Sequence, residues 1–339
     1  TLPSTGIRIF IKHPFIRMEK QLFGQARRPL QCRTPQPKPN RLVSNLLGDT
    51  NYNYLITKIS SDLLTITLAP FGVKRYPSEA MLCFLSIKKM NTADKRRFGG
   101  ISRLFGSEGF ERLQKSHITV VGVGGVGSWV AEALARTAVG EITIIDGDTI
   151  EESNTNRQLP ALEGNFGKKK VQVLAQRLQA INPDLKIHAV DEFLTTENFD
   201  RLIPSCDAVI DCIDSLSAKT FLVAEVAKRG FFVLTSGGAG GKVDASRVSF
   251  TDVALAKGDT LIAAMRSKLR KEYGFPKVKA GDKPARFGIG AVFSDEPVRA
   301  SQDGGEGFGV FASVTMTFAM RLVQECVKHV LEKNICGIK

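Results

Sequence analysis

The 339 residues are 43% hydrophobic and 24% charged, an ordinary globular balance with enough apolar sequence for one large α/β domain or two smaller ones. No apolar run reaches the roughly 18 residues that a membrane span needs; the nearest, 308–320, is shorter, holds Ser and Thr, and is closed by Arg321. A formal charge of +13 suggests an acidic partner such as nucleic acid, yet residues 1–89 hold a net +10 of it and residues 90–339 only +3, so the excess is no footprint for the body of the chain.

In chain order, residues 1–89 do not read as a folded domain. The run RRPLQCRTPQPKPNR spaces prolines too closely for a helix or a central strand. The segment reads as an extension that is disordered, targeting-like (acid-poor and Arg-bearing) or non-native, with Met90 just before the patterned sequence. From 94 to 115 the pattern is helical and basic, with Phe98, Ile101, Leu104, Phe105 and Leu113 on an apolar face and Arg96, Arg97 and Arg103 on the arm.

Strands are predicted at 117–123, 141–146, 186–191, 206–211 and 231–235, and helices at 125–138, 168–181, 196–203 and 215–229. Their alternation implies parallel pairing with right-handed crossovers. Beyond Gly237 a glycine-rich turn leads to a strand without an obligatory helix, so the sheet is expected to continue with antiparallel strands. Residues 257–290 read as irregular and basic, and a helix at about 311–333 closes the domain. The predicted fold class is a Rossmann-like, doubly wound α/β fold: a mainly parallel sheet continued by antiparallel strands, with a C-terminal closing helix. Residues 90–339 form its one domain.

The six cysteines, Cys32, Cys83, Cys206, Cys212, Cys326 and Cys336, contain no C-x-x-C pair, which argues against a four-thiolate zinc site. Isolated thiols fit a reducing compartment, and the expected location is cytoplasmic. Cys206 and Cys212 flank a core strand and read as small buried apolar residues.

The chemistry concentrates at 117–157. A strand rich in β-branched residues runs into Gly122, Gly124, Gly125 and Gly127, then into a helical pattern with Val126, Val130, Ala133 and Leu134 on one face. A second strand ends in Asp146, nineteen residues past Gly127. This is the arrangement of a nucleotide-binding βαβ unit: glycines let backbone N–H groups approach a phosphate at a helix N-terminus, and the acid meets ribose hydroxyls.

Four further features fall at strand ends on the same sheet edge. They are SNTNRQ (Asn154, Asn156, Arg157, Gln158), Lys168–Lys170, and Asp211 and Asp214 in VIDCIDS. Each alone reads as a solvated helix start or a strand-end cap. Together they are parts for handling a triphosphate: Arg and Lys offset phosphoryl charge, and an aspartate can hold magnesium.

These motifs resemble the ThiF-like, ubiquitin-activating-enzyme-like adenylyltransferases over about residues 95–335. The matching features are GVGGVGS, Asp146 and Asp148 of D-x-D, N-x-N-R-Q, Lys170, INP, and D-x-x-D-S. RFGGISRLFG, GSWVAEALAR, NTNRQLPAL, CIDS, SGGAGGKVD and AVFSDE look most like the bacterial tRNA threonylcarbamoyladenosine dehydratases within that superfamily.

The resemblance implies ATP and Mg2+ as cofactors, with Gly122, Gly124, Gly125, Gly127, Asp146 and Asp148 around the nucleotide and Asp146 on its ribose. It places Asn154, Arg157 and Lys170 on the phosphates, and Asp214 on magnesium and the reacting α-phosphate. The family's R-Y/F-x-R motif on the N-terminal arm is altered, since Gly100 stands at the second arginine's place; Arg103 is its expected substitute. The implied reaction adenylates the carboxylate of threonylcarbamoyladenosine in tRNA and cyclises it, in a homodimer and with room for sulfur-transfer partner proteins.

Residues 266–286 carry eight basic residues with Tyr273 and Phe275 between them. This is the local candidate for a tRNA-contacting flap, through Lys268, Arg270, Lys271, Lys277 and Lys279; an exposed flexible loop is the competing reading. Also open are an adenylyltransferase acting on the C-terminus of a ubiquitin-like or sulfur-carrier protein, and a non-catalytic nucleotide-binding scaffold. A nicotinamide-dependent oxidoreductase comes last.

Overall fold

A computed structural model describes the backbone of residues 52–59, 63–70 and 83–88 and the chain from 92 to 332, apart from 278–283, 303, 305 and 306, with side chains from Arg96 onward. The chain divides into two compact units, Thr1–Gly99 and Gly100–Lys339.

In the first unit, β1 (Tyr52–Ile59), β2 (Leu63–Pro70) and β3 (Cys83–Lys88) make an antiparallel meander with an irregularity between Ile56 and Lys58. These strands lie in the segment expected to be an extension, whose residues 1–51 fall outside the described ones. Helix α1 (Thr92–Lys115) leads into the second unit and is broken at Gly106, whose φ of 73° no other side-chain type adopts readily.

The second unit alternates strand and helix: β4 (His117–Val121), α2 (Gly127–Arg136), β5 (Glu141–Ile145), α3 (Lys170–Ile181), β6 (Lys186–Val190), α4 (Phe199–Leu202), β7 (Ala208–Asp211), α5 (Leu216–Lys228) and β8 (Val233–Ser236). After β9 (Val248–Asp252) and α6 (Thr260–Glu272), β10 (Gly290–Ser294) joins β8 in parallel, and α7 (Ala312–Glu332) closes the chain. The sheet order is β6-β5-β4-β7-β8-β10-β9, parallel except for the antiparallel edge pair β10–β9. The expected antiparallel continuation is therefore the outermost strand, inserted after its neighbour in space but before it in sequence.

Alternation along the strands divides the core between two faces. Ile118, Val120, Ile142, Ile144, Ala208 and Ile210 pack with Val130 and Leu134 of α2, Leu174 and Leu178 of α3, and Phe318 and Leu322 of α7. Val121, Ile145, Val209 and Val233 pack on the other side with Leu222 and Val226 of α5 and Ile262, Met265 and Leu269 of α6. This two-sided cover explains why the strands read as continuous apolar runs. The apolar C-terminal helix is a core element, and among the described residues no helix is long and apolar enough to cross a membrane.

One expectation is corrected. Residues 257–290 are not irregular throughout, because α6 occupies 260–272 of them. Asp259 caps it by accepting from the Ile262 N–H at 3.0 Å, and Ile262, Met265 and Leu269 bury one stripe. Dense basic residues on the remaining faces mask that stripe in the sequence.

Candidate nucleotide cleft

The βαβ turn is fixed by backbone contact. The Gly122 N–H donates to the Ile145 carbonyl at 2.8 Å. A Cβ at Gly127 would lie 1.8 Å from the Gly122 carbonyl oxygen, so only glycine lets α2 start this close to the end of β4. No side chain caps the N-terminus of α2; the Ser128 and Trp129 N–H groups donate to the Gly124 and Val126 carbonyls at 3.2 and 3.1 Å, so the place for an anion is the glycine turn just ahead of them.

Across the turn, Asp146 accepts from the Val123 N–H at 2.8 Å and from the Asp148 N–H at 3.0 Å. These bonds hold its carboxylate at the end of β5, against the glycine loop. A cleft of about 530 Å³ opens here, at the C-terminal edge of the parallel strands, where α/β ligand crevices form.

Among the sequence-predicted residues, Gly122, Gly124, Gly125, Asp146, Arg157 and Asp214 line this cleft. Arg157 lays its aliphatic stem over Gly125, where a Cβ would meet Cγ at 3.2 Å. Its Nη1 donates to the Ser153 carbonyl and the Asn156 Oδ1, each at 2.9 Å, and the Trp129 indole N–H holds its carbonyl at 3.0 Å. Asp214 is exposed in the cleft wall. Its position is set from beneath by Asp211, which is wholly buried and accepts from Lys219 Nζ at 2.7 Å, Thr235 Oγ1 at 2.6 Å and the Ile213 N–H at 3.0 Å. The two aspartates of VIDCIDS thus divide their work: Asp211 anchors the loop, and Asp214 presents a free-standing carboxylate. An exposed carboxylate of this kind is a donor that fits magnesium, which takes one or two carboxylates beside phosphate oxygens and water.

The other predicted residues stand outside the cleft lining. Gly127 is a packing position. Asn154 is buried in the turn after β5, where its Oδ1 accepts from the Glu151 N–H at 3.1 Å. Lys170, also buried, pairs with Asp148 at 2.5 Å. Partial burial works against ionisation of Asp148, but the Lys170 ammonium and the Thr149 N–H outweigh it and hold the carboxyl below its usual range. Arg103 is exposed on α1 and does not reach the cleft of its own chain. Cys212 lines the cleft, and loss of hydration, with Asp211 beside it, pushes its thiol far up; a neutral thiol is no nucleophile.

In the basic segment, Lys268 donates to Ser217 Oγ at 3.1 Å. Arg270 donates to the Pro276 carbonyl at 3.1 Å and lies over the Phe287 ring. Lys271 and Lys277 are exposed, and Lys279 lies outside the described residues.

Several cleft residues escaped the sequence reading. Phe193, 66% exposed, and Glu192 line it just past β6; their place after a strand on the ligand-bearing edge was the available signal. Gln158, which the sequence did single out in SNTNRQ, also lines the cleft and presents a buried Oε1 with no hydrogen-bond partner among the described residues, an acceptor left for a donor in the cleft. The opposite wall is Ser236, Gly237, Gly238, Ala239 and Gly240. Asp259 pins this wall: it accepts from the Gly238 N–H at 3.1 Å and from the buried Lys242 Nζ at 3.0 Å, and a Cβ on Gly237 would fall 2.5 Å from its Oδ2.

A glycine turn at an uncapped helix, an acid across from it, and an arginine and a carboxylate on one crevice define an α/β protein of the mononucleotide-handling class. The chain belongs to the ThiF family, whose model matches residues 100–337. It is 39% identical over 252 residues to the tRNA threonylcarbamoyladenosine dehydratase of Haemophilus influenzae, covering 71% of this chain and 95% of that protein. To the Escherichia coli protein of the same name it is 37% identical over 263 residues, covering 72% and 97%. Among solved structures it is similar to the Escherichia coli tRNA N6-threonylcarbamoyladenosine dehydratase in complex with ATP, with a TM-score of 0.67 at 39% identity over 72% of this chain and 98% of that one. The AMP complex of that enzyme gives a TM-score of 0.68 over 73% and 98%.

Proposed function

We propose that this protein is an ATP-dependent dehydratase acting on N6-threonylcarbamoyladenosine in tRNA. The observation that carries the reading is likeness, across 71–73% of this chain and 95–98% of theirs, to dehydratases of that specificity, one of them seen with ATP and with AMP. The cleft has the parts such a reaction needs. ATP is the substrate: its triphosphate lies on the glycine turn and the N-terminus of α2, and its ribose meets Asp146. The substrate carboxylate attacks the α-phosphorus, the bond to the β-phosphate oxygen breaks, and pyrophosphate leaves. The resulting acyl adenylate converts a poor leaving oxygen into AMP. The neighbouring carbamoyl group then closes on the acyl carbon and expels AMP, so one water is lost overall.

Arg157 meets the charge that builds on the phosphoryl oxygens, while Gln158 and Phe193 orient the nucleotide. Lys170 acts by leaving Asp148 for a phosphate, and Asn154 by holding the turn that carries Arg157. Asp214 would hold magnesium, which would supply charge neutralisation at the phosphates. A homodimer fits the exposure of Arg103, whose guanidinium would serve the partner's cleft. Residues 1–89 lie outside the catalytic domain in this reading.

Incubating the protein with threonylcarbamoyladenosine-bearing tRNA and ATP, then digesting the tRNA for nucleoside mass spectrometry, tests the proposal. A product lighter by one water should form with ATP, fail to form without it, and fall at least about 100-fold in Asp214→Asn. Pyrophosphate release that ignores tRNA and depends on a small protein substrate would instead favour the carrier-activating reading.

A further inference from the structure

At the end of the sheet opposite the cleft, the first residues of three neighbouring strands converge. Parallel register sets His117 beside Glu141, Glu141 beside Lys186, and Thr143 beside His188. Because alternate residues share a face, all five side chains lie on one side of the sheet. Only the four-residue α4 stands in the crossover from β6 to β7, and the side chains of His117, Glu141 and His188 are 16%, 29% and 53% exposed.

Glu141 Oε1 is 2.8 Å from His188 Nε2 and 3.8 Å from His117 Nδ1. One ligand atom from each of the three lies within 4.8 Å of the others. The other ring nitrogen of His117, Nε2, is 2.8 Å from Oγ1 of the buried Thr143. In the tautomer with the hydrogen on Nε2, the Thr143 hydroxyl oxygen accepts it and Nδ1, on the side of Glu141, is left to ligate. A hydrogen bond behind the ligand that fixes the tautomer is the usual support of a metal-binding histidine.

We propose that His117, Glu141 and His188 form a binding site for a divalent transition metal, with Zn2+ as the ion that fits. Two imidazoles and one carboxylate are the donors zinc takes, whereas magnesium and calcium call for oxygen alone. Metal–ligand bonds of about 2.0–2.2 Å in a tetrahedron place ligand atoms about 3.4 Å apart, between the two separations found here. The three ligands come from β4, β5 and β6, so the ion ties the outer strand β6 to the centre of the sheet and leaves a fourth position for water. The site takes no part in the nucleotide cleft. Lys186 Nζ, 3.8 Å from Glu141 Oε2, supplies the positive charge that the ion replaces.

The test uses the full-length protein, stripped with chelator and titrated with Zn2+ by calorimetry and with Co2+ by visible spectroscopy. The chain has four histidines and six cysteines, so the cobalt spectrum separates this site from thiols. Expected are nitrogen- and oxygen-type bands without thiolate charge transfer, and Zn2+ affinity weakened more than about tenfold in His188→Ala and in Glu141→Gln. Thr143→Val, which removes only the supporting hydrogen bond, should weaken it about tenfold. Zn2+ should raise the melting temperature of the wild type and not of His188→Ala. Zn2+ affinity unchanged in His188→Ala, cobalt bound through thiolates alone, or no binding by the wild type would each overturn the proposal.

Discussion

Gly127 and Lys219 show how single positions govern the cleft from behind it. At Gly127 the neighbour a Cβ would strike is the backbone of Gly122, which cannot rotate aside. Gly127→Ala should therefore cost about 3 kcal/mol in urea denaturation and loosen the glycine turn at the cleft. Lys219 and Asp211 are both fully buried. Lys219→Met strands a carboxylate in the core, and a loss of about 3–5 kcal/mol is expected on denaturation. Adding Asp211→Asn should restore much of it, because the uncompensated charge is gone. A double mutant no more stable than Lys219→Met would show that packing, rather than charge, dominates there.

Helices α2 and α3 are joined by one buried acid. Glu132 on α2 accepts from Arg136 one turn on and from Arg177 on α3 at 2.5 Å. Burial alone would lift its carboxyl, but the hydrogen bonds from Arg177 and Arg136 outweigh that and hold it below its ordinary value of 4.5. The folded state thus binds its proton less readily than the unfolded chain. The contribution to stability is present above pH 4.5 and is lost as pH falls from there through the lowered folded value. Wild type and Glu132→Gln, compared by denaturation at several pH values, should differ most near neutrality and converge in acid.

The elements themselves were largely legible. Strand and helix alternation was read to within a few residues because burial on both faces makes the inner strands β4, β5, β7 and β8 largely apolar runs, while the exposed edge strand β6 follows from its place after α3. Helix α6 was not read, since its three buried positions are diluted by Arg266, Lys268, Arg270 and Lys271. Its start signal, Asp259, also serves the glycine wall, a role that only the folded chain reveals.

For the whole molecule, charge is the property to test. The excess over residues 266–286 stands on and after α6, with Lys271 and Lys277 exposed and Lys268 and Arg270 half-buried. Neutralising Lys268, Arg270 and Lys271 should weaken tRNA binding and lower its log–log salt slope by about two to three. ATP affinity should stay unchanged, as none of the three lines the cleft. Equal losses of both affinities would point to damage to α6 instead.

The sequence by itself determined the doubly wound sheet, the glycine turn and the acid opposite it, because these follow from local spacing: a strand, a glycine turn and a helix are contiguous. Only the tertiary structure decided which of Asp211 and Asp214 faces the cleft, that Lys170 is engaged with Asp148, and that Phe193 and the Gly237–Gly240 wall complete the site. Those assignments depend on which strand lies beside which and on what buries each charge. Residues far apart in sequence set both, and no local pattern records them.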